Sequence, residues 1–111
     1  MVAQTAVDTR GERLTEAMRR YAEWAKARKH VAAIVAVPAS SGTTVWTVLD
    51  GDSRGETRRG LYDLQVRTWE SFPGEPLAFR VIDLAEYPST PPETLLPSDG
   101  VRLYVAPSAH L

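Results

Sequence analysis

The chain contains no cysteine and only two histidines in 111 residues. Without cysteine there are no disulfides, no thiolate metal sites and no cysteine nucleophile. His30 is expected to end the first helix and His110 lies near the end of the chain, and neither has triad partners at recognisable spacing. Long apolar runs are missing as well. The longest, VAAIVAV (31–37), has seven residues, where a membrane span needs about 20. The opening MVAQTAVDTRGE lacks a basic region followed by a long apolar core, so it does not read as a secretory signal. The expected location is the cytoplasm, with no membrane partner. A net charge of −1 creates no global field to attract nucleic acid.

What is present is ordinary for a globular domain: 43% apolar and 24% charged residues. The length predicts one domain over 1–111, with 1–8 and 107–111 as flexible tails. Charge is unevenly spread along it. Residues 10–30 carry seven Lys/Arg against three Glu, whereas 31–111 carry six Arg against ten Asp/Glu.

The stretch 43–84 organises the chain. TTVWTVL (43–49) is dense in β-branched and aromatic residues and predicts a strand, as does LAFRVIDL (77–84). Between them, S-R-G-E (53–56) has capping-box form. Leu61, Leu64, Thr68 and Phe72 continue at helical spacing, and F-P-G-E-P stops the segment. Alternation of Tyr62, Leu64, Val66 and Thr68 offers a competing strand pattern, but the cap and the length favour helix over 53–72. A helix crossing between two strands makes them parallel neighbours or near neighbours.

Before this unit, T-R-G-E (9–12) predicts the start of a helix over 10–29. Leu14, Ala17, Met18, Tyr21 and Ala25 lie on one stripe of it. VAAIVAV follows as a central strand ended by Pro38, and ASSG predicts a hairpin into 43–49. Prolines 88, 91, 92 and 97 place a loop after the third strand, with one helical turn at 92–96. VRLYV (101–105) is the last strand. The predicted fold is α+β, ordered α-β-β-α-β-β, with two helices on one face of a four-stranded mixed sheet.

The chemistry-bearing candidates are carboxylates. Asp50 follows one strand and Asp83 ends its parallel neighbour, so both belong to the carboxyl edge where open α/β sheets bind ligands. With Asp52 they offer three oxygen donors of the type Mg²⁺ prefers. Against that stands the ordinary use of Asp50 and Asp52 as turn and cap residues, with Asp83 ending a strand in solvent. Arg54, Arg58 and Arg59 cluster at a helix start, which favours anions, or form a solvated face beside Asp52 and Glu56. The basic first helix offers Arg19, Arg20, Lys26, Arg28 and Lys29 to nucleic acid, but its Glu16–Arg20 and Glu23–Lys26 pairs and the lack of an aromatic platform argue against that partner.

VAAIVAV running into P-A-S-S-G (38–42), followed by D-G-D (50–52), resembles the minimal nucleotidyltransferases. In that family a strand enters a Gly-Ser loop, and a later Asp-x-Asp pair on a strand holds catalytic metals. Here Pro38 and Ala39 stand in the Gly-Ser place, a strand replaces the polar helix, and D-G-D follows a strand. The resemblance implies a degenerate relative. The leading expectation is instead a non-catalytic domain acting through protein–protein contacts. No cofactor or metal is implied, and a second copy is expected to cover the sheet face that the two helices leave open, Trp46 included. The alternative is a Mg²⁺-dependent nucleotide binder using Asp50, Asp52 and Asp83 with Arg54 and Arg58.

Overall fold

The computed structural model describes residues 2–52, 54–107 and 109, with side chains from Gly11 onward. Helix α1 (Val2–Ala25) is followed by strands β1 (Val31–Ala39) and β2 (Gly42–Leu49) and helix α2 (Glu56–Ser71). Strand β3 (Leu77–Asp83), a 3-10 turn (Leu84–Glu86), the single-turn helix α3 (Pro92–Leu95) and strand β4 (Val101–Val105) complete the order. This is the α+β arrangement the sequence predicts. The sheet order is β3-β2-β1-β4. β1 is antiparallel to β2 and β4, and β2 is parallel to β3.

The boundaries differ in α1, α2 and β1: α2 begins at Glu56 after Gly55 (φ 71°), three residues later than the expected start at 53, and ends at Ser71. Helix α1 starts at Val2 and ends at Ala25, so the Thr9–Glu12 box falls inside it. Residues 26–30 form turns that end at His30 with φ 65°. Pro38 does not end β1: it pairs with Thr43, and Ala39 with Gly42, leaving Ser40 and Ser41 as a two-residue loop. A proline is tolerated there because β4 pairs with β1 only over Ala33–Ala36, so Pro38 has no strand awaiting its missing N–H. Gly42 has φ 141°, and a Cβ on it would sit 2.5 Å from the carbonyl oxygen of Pro76. Only glycine fits that approach.

The main core lies between the sheet and the two long helices. Ala17, Tyr21 and Ala25 of α1 and Leu61 and Leu64 of α2 are buried against Ile34, Val45, Leu49 and Leu77. Their spacing makes one stripe on each helix, so the 62–68 alternation belongs to a helix and not to a strand. Within this layer the Tyr21 hydroxyl shares a 2.5 Å hydrogen bond with Thr47 Oγ1, and Gln65 Nε2 donates to it at 3.4 Å. That network ties α1, β2 and α2 together with each buried polar atom partnered.

The opposite sheet face is less open than expected. Ala32, Ala33 and Val48 form a second cluster that packs with Ile82, Leu84, Leu96, Val105 and Ala109. The chain after β3 folds back over this face, and Ala109, expected in the 107–111 tail, joins it. Trp46 is half-buried there, with the Arg80 guanidinium 5.6 Å from its ring centre. His110, like Ser53 of the expected cap, lies outside the described residues.

Candidate functional site

Register places Leu49 beside Asp83, so Asp50, Asp52 and Asp83 do gather at one end of the β2–β3 pair. They do not face one another as ligands. Asp83 does not end its strand in solvent: it is 4% exposed, and its two carboxylate oxygens accept from main-chain N–H groups of Asp52 (2.8 Å) and Ala85 (2.9 Å). Asp52 turns toward α2 and accepts from the N–H groups of Thr57 (3.2 Å) and Arg58 (2.9 Å). Partial desolvation pushes the Asp52 carboxyl up, but the hydrogen bonds from Arg58 and Thr57 outweigh it and hold the group below its usual range. Asp50 is exposed, and its carboxylate lies 3.7 Å from His30 Nδ1. Among the described residues, no three His, Asp or Glu side chains gather as metal ligands.

The helix start that Arg54, Arg58 and Arg59 surround already carries an anion. Asp52 takes two of the N–H groups that a phosphate would use. Arg58 reaches Glu86 at 3.3 Å, which ties α2 to the turn after β3. Arg54 stays exposed beside a shallow cleft of about 230 Å³ shared with Lys29, His30, Gly51 and Thr57. On α1, Glu16 accepts from Arg19 (2.6 Å) and Arg20 (3.0 Å), which holds its carboxyl at about 2. Lys26 pairs with Glu23 at 3.1 Å and Arg13 with Glu75 at 3.5 Å. Arg13, Arg19 and Arg20 of α1 therefore each have an acidic neighbour. So does Lys26, which with Arg28 and Lys29 lies in the turns after the helix and not on it.

A second site lies on the other side of α2. β3 is an edge strand, paired with β2 in unbroken register from Leu77 to Asp83. Thr43 N–H donates to Pro76 O on the inner side, while Leu77 O faces outward and accepts from Trp69 Nε1 at 2.8 Å. Because backbone groups alternate along a strand, the N–H and C=O of Phe79 and Val81 also face outward. Natural edges are commonly blunted by proline, bulges or brevity. β4 shows these devices: it has five residues and a register shift, and Pro97 and Pro107 flank it. β3 has Pro76 at its start and one charge, Arg80, at its middle, but its seven residues pair in unbroken register with no bulge.

Apolar side chains border this edge. Tyr62 (48% exposed), Val66 (48%) and Trp69 (43%) line the outer stripe of α2. Trp69 packs against Phe79, with ring centres 5.3 Å apart and planes tilted by 59°. A groove of about 460 Å³ runs over the edge between Tyr62 and Gln65 on one side and Tyr87 and Leu95 on the other. Sequence reasoning assigned no binding role to Tyr62, Val66 or Tyr87, and took Trp69 only as one of two tryptophans, with Trp46, that the two helices could not both bury. The available signal was the residues 62, 66 and 69, spaced four and three apart, which form a second apolar stripe beside the core stripe of Leu61, Leu64 and Thr68. A helix that buries one face needs only one such stripe.

Compared with known proteins, the chain matches no family model, no curated protein and no solved structure.

Proposed function

We propose that this chain is a small non-catalytic domain that works through protein–protein contacts and associates with a second copy of itself. The observation that carries this reading is the pairing of a regular, bulge-free edge strand with exposed Tyr62, Val66, Trp69 and Tyr87. Large apolar side chains grouped beside unpaired backbone are costly to leave in water and typical of contact surfaces. The reason for association thus moves from the open sheet face, which the chain partly covers itself, to the β3 edge. The cytoplasmic location expected from the sequence stays part of this reading.

The Mg²⁺-dependent nucleotide reading has less support, because Asp52 and Asp83 spend their oxygens on main-chain N–H groups. Two measurements separate the readings. Sedimentation velocity from low to high micromolar concentration is expected to show a dimer. Calorimetric titration with Mg²⁺ and ATP is expected to show no saturable heat. A strict monomer that binds Mg²⁺, and loses it on Asp50→Asn, would reverse the order of the two.

A further inference from the structure

Resting on that reading, we infer that the second copy docks by strand addition, β3 against β3 antiparallel about a two-fold axis at Arg80, with Val66 of the two α2 helices meeting above it. Edge-to-edge addition is a recurring recognition mode in which backbone bonds supply the attraction and alternate side chains the selectivity. The β3 sequence is self-complementary in this register. Phe79 would oppose Val81 of the partner subunit on the helix face, and Ala78 would oppose Ile82 of the partner subunit on the other. Phe79 and Val81 are the residues whose N–H and C=O face outward, so both rungs would be hydrogen-bonded pairs and Arg80 would sit in the intervening non-bonded position. Like charges meet there, but each Arg80 already leans back over Trp46 of its own β2 and away from the axis.

The helix geometry agrees independently. Trp69 is held level with Leu77 and Phe79 by its hydrogen bond and ring contact. At about 1.5 Å per residue, Val66 lies about 4.5 Å further along and Tyr62 about 10.5 Å. Strand rise of about 3.3 Å then puts Val66 close to the level of Arg80 and Tyr62 near Ile82, which both line the same groove. The stripe reads aromatic–valine–aromatic, so a two-fold axis at Val66 would set Tyr62 against Trp69 of the partner subunit. Strands are spaced about 4.8 Å apart, and a helix lying over the β2–β3 pair has its axis about 5 Å from the dyad. The two α2 axes would then be about 10 Å apart, a normal packing distance.

The absence of cysteine makes the test direct. Arg80→Cys places one thiol at the proposed axis, where Cα atoms of a non-bonded pair lie about 4.5 Å apart, within disulfide range. Mild oxidation of Arg80→Cys at micromolar concentration should give a covalent dimer, and Val101→Cys on the exposed β4 edge should not. Val66→Glu, on an exposed helix position, should weaken self-association at least tenfold in sedimentation while leaving the far-ultraviolet circular dichroism unchanged. A dimer that survives Val66→Glu and fails to cross-link through Arg80→Cys overturns this surface and leaves self-association standing. A strict monomer overturns both.

Discussion

The main-chain N–H of Asp52 donates to the carboxylate of Asp83 across 2.8 Å, bonding the loop that leaves β2 to the last residue of its parallel neighbour. A parallel pair has no hairpin to hold its ends together, so this bond and the one from Ala85 pin the carboxyl end of the sheet. Removing the carboxylate strands two N–H groups in a buried place. Asp83→Ala should therefore lose about 2–3 kcal/mol of stability, read as a lower urea midpoint, and Asp83→Asn should lose less because it keeps one acceptor oxygen.

Asp52 predicts an acid-limb effect with a defined sign. Its carboxyl titrates below the ordinary 3.8 in the folded chain because of the Arg58 and Thr57 hydrogen bonds, which outweigh desolvation. The unfolded chain therefore binds the proton first as pH falls. The contribution is present above about 3.8 and is lost as pH drops through the lower folded value. Asp52→Asn should flatten that part of the stability curve between neutral pH and pH 2, with little change in shape above pH 5. An unchanged acid limb would assign no such role to the cap.

Tyr21 governs the opposite limb. Burial pushes its phenol up, against the pull of hydrogen bonds from Gln65 and Thr47. The neutral form is thus favoured on folding, and its contribution holds below about 10 and fades as pH rises toward the folded value. Tyr21→Phe should remove this alkaline loss. At neutral pH it should also cost about 1–3 kcal/mol, since Thr47 and Gln65 lose their buried partner. Thermal melts at pH 7 and above pH 10 read both effects.

Local pattern settled a good deal of this fold. Apolar spacing of Leu14, Ala17, Tyr21 and Ala25 marked the buried stripe of α1, and β-branched runs marked β1 and β2. The crossover through 53–72 implied the parallel β2–β3 pair, and the proline cluster implied a loop with one helical turn. These features follow from bond geometry and short-range burial, which act between residues a few positions apart. The grouping of Asp50, Asp52 and Asp83 at one sheet end was also legible, because register follows from topology. Use of Asp52 as a cap was one of the two readings open in the sequence, and the Ala85 N–H lies only two residues from Asp83. The burial of Asp83 and its bond from the Asp52 N–H, 31 residues away, arise only once the loop after β2 is folded. The same holds for the edge. That β4 returns beside β1 while β3 stays uncovered, that residues 84–97 fold over the far face, and that Trp69 stands beside Phe79 are decided by packing between distant segments. Periodicity reports which side of an element is apolar, and only the tertiary structure decides which apolar side is left in water.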